Sequence, residues 1–127
     1  MNGSKYFLDT NAITALLQGK DNLVNVLKNA SWIGISIINQ LEFLANPNLK
    51  EEDITIFQSF LDRIEVIGLG NDNKDLLSLT LEIRKRNKLK LPDSIIAASA
   101  IYHKSILITN DFAFDNIKSL KVIRSQK

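Results

Sequence analysis

A chain of 127 residues, 45% apolar and 24% charged, is long enough for a sizeable core and too apolar for extended disorder. Its formal charge of +2 permits a nucleic-acid partner without arguing for one, and the absence of cysteine excludes a disulfide framework and thiolate metal sites. No run approaches the ~18 apolar residues of a membrane helix, and MNGSKYFLD has no apolar stretch of signal-peptide length, so the expected location is the cytoplasm.

In chain order, Tyr6-Phe7-Leu8 reads as a first strand, residues 10–17 as a helix and 23–27 as part of a second. WIGISII, from Trp32 to Ile38, is β-branched and is expected to be a strand. Residues 39–45 follow as a short helix that stops before Asn46-Pro47. Ile54, Phe57, Leu61 and Ile64 recur at helical spacing and predict an amphipathic helix over 51–64. Residues 65–69 read as a short strand, and 72–87 as a helix with an acidic start and the basic end Arg84-Lys85-Arg86, which matches its dipole. Pro92 opens a helix that is apolar on nearly every side and is therefore expected to be buried. SILIT, residues 105–109, and residues 120–123 supply the last strands. There is no internal repeat and no linker, so residues 1–127 are expected to form one domain. Alternating strands and helices with apolar strands imply an α/β fold with a central, mainly parallel sheet of about five strands, covered by helices on both faces.

In such sheets ligands bind beyond the carboxyl ends of the strands, and acids recur there. Asp9 follows the first strand in FLDTN, and Glu42 is expected in the first turn of the helix after the second. Asp93 opens the buried helix in LPDSIIAA, and Asp111 follows a later strand in LITND. Asp93 shares the rim with the others only if the helix over 72–87 has already led the chain back to it. Each acid also has a structural alternative. Asp9 or Thr10 can cap the first helix, Asn39 and Glu42 have capping-box spacing, Asp93 suits a first helical turn, and Asp111 can cap the segment after it. Capping does not explain why acids recur at ends that share a rim, since Ser or Thr caps as well.

If the four converge, their repulsion is large: two like charges ~4 Å apart cost about 4 kcal/mol at an effective dielectric of about 20. A cation relieves it. Oxygen donors, with no cysteine and a single histidine, His103, far from any motif, favour a hard ion such as Mg²⁺ or Mn²⁺. Such ions act on phosphates, and phosphodiester hydrolysis is the leading chemistry.

The ordered set FLDTN, a glutamate after ISII, LPDSIIAASA and LITND resembles the PIN-domain ribonucleases over nearly the whole chain. The length is similar to that of VapC-type toxins of bacterial toxin–antitoxin pairs. The resemblance implies a PIN-like domain in which Asp9, Glu42, Asp93 and Asp111 form the catalytic quartet that holds Mg²⁺ or Mn²⁺. It implies that Asn11 and Thr109 support that pocket, and it places Asp115 where some members carry a further acid. It further implies RNA as substrate, a cognate antitoxin, and a homodimer, for which the helices over 51–64 and 72–87 offer apolar surface.

Two rivals differ in class. A phosphoacceptor receiver module also binds Mg²⁺ with acids at strand ends. It requires an early acid pair and a lysine after a late strand, whereas here one aspartate follows the first strand and Asn110-Asp111 follow SILIT. A catalytically silent PIN-like binding module is opposed by the intact quartet. A phosphatase with an aspartyl nucleophile requires a second aspartate where Asn11 stands. Gly68 and Gly70 form a lone GLG, too little for a dinucleotide loop. The basic run Arg84 to Lys90 reads first as a solvated helix end and second as a phosphate contact. Phe57, Phe60 and Leu61 are expected in the core and His103 at the surface.

Overall fold

The computed structural model describes residues 3–124. Strands β1 (Lys5–Leu8), β2 (Trp32–Ser36), β3 (Glu65–Ile67), β4 (Ile106–Ile108) and β5 (Val122–Ile123) form one sheet in the order β3-β2-β1-β4-β5. Every pairing is parallel. Successive residues of a strand face opposite sides, so Phe7 and Leu107 enter one core while Leu8 and Ile108 enter the other. The first core is closed by helices α5 (Lys74–Asn87) and α6 (Leu91–Tyr102), through Leu76, Ile83 and Ile96. The second is closed by α1 (Thr10–Leu17), α2 (Asp21–Leu27), α3 (Ile37–Leu44) and α4 (Glu51–Leu61), through Ile13, Leu23, Phe43 and Phe57. This is the expected α/β sandwich with a five-stranded sheet, and it is parallel throughout.

Helix α6 is buried continuously from Ser94 to Ala100, as its apolar faces require, and its two buried serines donate to backbone carbonyls one turn earlier. Phe57 is fully buried, and Phe60 and Leu61 pack against the same core while partly exposed. Among the described residues, no helix is long and apolar enough to cross a membrane.

Several element boundaries differ from the sequence reading, and at the starts of α3 and α5 a side-chain cap outweighs local propensity. Strand β2 ends at Ser36, not Ile38. The Ser36 hydroxyl accepts from the Ile38 amide at 3.0 Å, and Asn39 Oδ1 accepts from the Ser36 amide at 2.9 Å. This capping box starts α3 at Ile37 despite two β-branched residues. The box therefore joins Ser36 to Asn39, not Asn39 to Glu42, and Glu42 lies in the second turn of α3. Helix α5 starts at Lys74, because Asn73 Oδ1 accepts from the Leu76 amide at 3.1 Å. Helix α4 stops at Leu61, and the chain turns with the Arg63 amide on the Phe60 carbonyl. A short 3₁₀ turn, Phe112–Phe114, was not foreseen.

Candidate active site

The strand order reverses direction in the chain at β1, which has β2 on one side and β4 on the other. Crevices form beyond the carboxyl ends of strands at such a point. Leu8 of β1 pairs with Ile108 of β4, and the Asp9 amide extends the ladder to the Ile108 carbonyl at 3.0 Å. Asp9 and Thr109 therefore leave the sheet side by side.

Asp9 is buried, 7% exposed, and both its carboxylate oxygens are occupied by donors. Oδ1 accepts from the Thr10 amide at 2.9 Å, as an N-cap does, and from Asn39 Nδ2 at 3.3 Å. Oδ2 accepts from the Thr109 hydroxyl at 2.7 Å and from Asn11 Nδ2 at 3.3 Å. Thr109 Oγ1 in turn accepts from the Asp111 amide at 3.0 Å, and Asn11 Oδ1 accepts from the Asn110 amide at 3.0 Å. The 109–111 segment is thereby tied to the start of α1. On the other side, Asn39 Nδ2 also donates to Thr10 Oγ1 at 3.2 Å, and the Thr10 hydroxyl donates to Glu42 Oε1 at 2.7 Å. One network thus runs from Glu42 through Thr10, Asn39, Asp9 and Thr109 to Asp111.

Asp93 enters from the first turn of α6 and is half-buried. Burial raises its carboxyl above the usual aspartate range, and the charges of Asp111, Asp9 and Glu42 push it the same way while Lys90 opposes them. Burial likewise raises Asp9, which is also pushed up by Glu42 and Asp111. Its bonds from Thr109 and Thr10 oppose that rise. All four sequence-identified acids therefore lie within one electrostatic neighbourhood. Glu42 and Asp111 are exposed at its mouth. Asp9 and Asp111 are caps as well, since Asp111 Oδ1 accepts from the Ala113 amide at 2.9 Å. The capping and site readings of these two acids coexist.

Among the described residues, no three His, Cys, Asp or Glu side chains are grouped as a set able to hold a metal ion. The acids share a field rather than a chelate, and Asp9 is already surrounded by four donors. The chemistry of the set nevertheless fits a hard divalent cation: all donors are carboxylate oxygens, and the charges of Glu42 and Asp111 add to burial in raising Asp9 and Asp93.

Three participants were missed from the sequence as parts of this network. Asn39 is fully buried, and an amide placed directly after the apolar run ISII was the available signal. Thr10 had been read only as a possible cap. Arg124, close to the chain's end, carried no signal. Its guanidinium pairs with both oxygens of Asp115, donates to the Thr109 carbonyl at 3.3 Å and the Asp111 carbonyl at 3.5 Å, and lies 4.3 Å from the Phe112 ring centre. Asp115 is thus engaged in an ion pair. His103 is not a plain surface residue: it is half-buried and stacks on Trp32 at 5.2 Å between ring centres, where burial lowers its imidazole pKa.

Residues 6–120 match the PIN domain family. Comparison with curated proteins yields no significant match. Among solved structures, the chain is similar to VapBC2 from Rickettsia felis, a structure bound to a promoter DNA fragment. The identity is 26% and the TM-score 0.78, over 94% of this chain and 98% of the other. A toxin–antitoxin complex from Klebsiella pneumoniae matches at 26% identity and TM-score 0.77, over 96% and 98%. VapBC-1 from nontypeable Haemophilus influenzae shares the fold at 19% identity and TM-score 0.78, over 97% and 99%.

Proposed function

The chain belongs to the PIN domain family, and on that premise we propose that it is a metal-dependent endoribonuclease and the toxin of a toxin–antitoxin pair, acting in the cytoplasm, with residues 1–127 as one nuclease domain. The observation that carries this reading is the convergence of Asp9, Glu42, Asp93 and Asp111 at the carboxyl end of β1 and β4, where burial raises Asp9 and Asp93 and the charges of Glu42 and Asp111 push both the same way. Structural similarity to toxin–antitoxin proteins at 26% identity supports the biological role.

In this reading Asp9, Glu42, Asp93 and Asp111 would hold Mg²⁺ or Mn²⁺, and the ion would supply positive charge to offset that of the phosphodiester and to activate a water. The remaining work belongs to the chain. Thr109, Asn11, Asn39 and the Thr10 amide hold Asp9 in one rotamer. The Thr10 hydroxyl orients Glu42. Thr109, through the Asp111 amide, and Arg124, through the Asp111 carbonyl, fix the backbone that carries the fourth acid. A carboxylate of the set accepts the proton of the attacking water.

A cognate antitoxin is the proposed partner. A groove between α1, α3 and α4, lined by Leu17, Phe43, Leu49 and Ile56, supports this, as do the exposed Leu41 and Leu44 on α3. A homodimer is proposed as well. Leu81 on α5, about half exposed and away from that groove, offers apolar surface for one. Sedimentation that shows only monomer at high micromolar concentration would count against the dimer.

The decisive experiment is RNA cleavage by purified protein with Mg²⁺ or Mn²⁺, and with EDTA as control. Cleavage that needs the ion and is lost in Asp93→Asn is the expected result. Undiminished cleavage in EDTA, or full activity of a well-folded Asp93→Asn, would overturn the metal-nuclease reading.

A further inference from the structure

The basic run at the end of α5 does not behave as one solvated cluster. Arg86 turns to one side and pairs with Glu82, four residues earlier, at 3.3 Å. Arg84, Lys85, Lys88 and Lys90 line a different, open depression together with Leu89 and Leu91. None of these four cations has a carboxylate partner within 4.0 Å among the described residues, where the ion pairs are Arg86–Glu82 and Arg124–Asp115. Four cations around one depression, with no acid among its lining residues, form a local positive field that the chain's near-neutral total conceals.

The helix dipole accounts for only part of this arrangement. It favours cations in the last turn, which covers Arg84 and Lys85. It does not require Lys88 and Lys90, which lie beyond the helix. Lys88 occupies the left-handed region, with φ of 54°, as the C-cap of α5. Glycine meets that conformation without steric cost, and asparagine is the next most tolerant residue. A lysine there keeps a charge at the expense of backbone ease. The turn is also held in shape: Arg84 Nη1 donates to the Leu89 carbonyl at 2.6 Å, across the bend between α5 and α6.

The depression lies beside the acidic site. Lys90 is the N-cap residue of α6 and Asp93 lies in that helix's first turn. The charge of Lys90 also acts on the Asp93 carboxyl. A polyanion held at this bend would have its next segment beside the carboxylates. Without such a hold, the acids themselves repel a phosphodiester chain.

We propose that Lys85, Lys88 and Lys90, on the turn shaped by Arg84, form a cradle for the phosphate backbone of the RNA strand that enters the carboxylate site. The inference rests on the ribonuclease reading and adds to it the surface that receives the substrate. Phosphate contacts of this kind are independent of sequence and act by releasing counterions, so they leave a measurable dependence on salt.

The test measures binding of a fluorescent single-stranded oligoribonucleotide by anisotropy across a range of salt concentrations. It uses the Asp93→Asn protein so that cleavage does not interfere. Lys85→Gln, Lys88→Gln and Lys90→Gln are combined in that background. A control combines Lys20→Gln, Lys28→Gln and Lys118→Gln, which changes the net charge equally. The cradle variant is expected to flatten the slope of log K against log salt by about 2, from three contacts at ~0.7 each on a single strand. The control should keep the slope. Thermal unfolding of both variants, and cleavage by the wild-type protein, accompany the series. Wild-type cleavage with unchanged slopes, or with equal flattening in the control, would overturn the cradle and leave the nuclease standing. A loss confined to duplex DNA of the same length would overturn it too. A wild-type protein inert towards RNA with either ion would overturn both readings.

Discussion

Thr109 and Asp9 lie 100 residues apart in the chain, and the hydroxyl of the first donates to Oδ2 of the second at 2.7 Å. The same hydroxyl accepts from the Asp111 amide at 3.0 Å, so one fully buried side chain joins two of the four acids. Thr109→Val keeps the shape and removes both bonds, together with the one that Asn11 Nδ2 donates to the same hydroxyl at 3.4 Å. Leaving a buried carboxylate and an amide short of a partner is expected to cost about 1–3 kcal/mol in urea unfolding. Cleavage should fall at least tenfold. Thr109→Ser, which retains the hydroxyl, should recover most of the activity. Wild-type rates in Thr109→Val would show that this link does not orient the site.

Asp9→Asn and Asp93→Asn are expected to diverge in stability. As a simple helix cap, asparagine would serve about as well as aspartate at either position. Asp9, however, has donors on every side: Thr10 and Asn39 at one oxygen, Thr109 and Asn11 at the other. An asparagine there turns an NH₂ group towards donors, and Asp9→Asn should destabilise by roughly 1–3 kcal/mol, offset in part by relief of burial and repulsion. Asp93 is half-buried, and neutralising it mainly removes the unfavourable burial of its charge, so Asp93→Asn should be at least as stable as wild type at pH 7. Both should lose cleavage. Equal stability of the two variants in denaturant titration would contradict the hydrogen-bond assignment at Asp9.

The raised carboxyl of Asp93 sets the sign of a pH effect. Between its unfolded value near 3.8 and its higher folded value, the folded protein binds more protons than the unfolded chain. Stability from this group is therefore complete below pH 3.8 and is lost as pH rises through the folded pKa. The stability advantage of Asp93→Asn over wild type should be largest near neutral pH and shrink as pH falls towards 3.8. Thermal unfolding of both proteins from pH 7 to 4, without divalent ions, checks this. A constant difference would mean that Asp93 is not charged against its neighbours.

Divalent ions should act on stability as well as on cleavage. A cation that binds the folded carboxylate set alone stabilises the protein by about 2.7 kcal/mol at 100 times its Kd. Mn²⁺ titration should raise the wild-type unfolding midpoint, EDTA should reverse the rise, and Asp93→Asn should show a smaller one. Equal shifts in both proteins would place the binding elsewhere.

Arg124 pairs with Asp115 and donates to the carbonyls of Thr109 and Asp111. The ion pair is about one-third exposed on both sides, so its own contribution to stability is expected to be about 1 kcal/mol or less. Arg124→Met should therefore lower kcat severalfold, by loosening the Asp111 segment, with little change in the unfolding midpoint. A loss of stability in proportion to the loss of activity would mark Arg124 as a general structural anchor instead.

The sequence by itself determined the alternation of strands and helices, the burial of α6 and the acids that end strands, because each is written in local composition. Apolar runs bounded by polar residues report their own element, and FLDTN or LITND reports its own strand end. Only the tertiary structure decided that β1 lies between β2 and β4, which sets Asp9 beside Thr109. The same holds for Asn39 turning its amide onto Asp9 and for Arg124 reaching back to the Asp111 segment. These contacts join residues far apart in the chain, and no local period encodes which strand pairs with which. Even the start of α3 depended on this difference in reach: Ile37 and Ile38 favour a strand by propensity, while the Ser36–Asn39 capping box and the packing of Phe43 on Phe57 favour a helix. Helical structure prevailed because the box satisfies backbone donors and the packing buries an aromatic pair, and together these outweigh the small intrinsic preference of two β-branched residues.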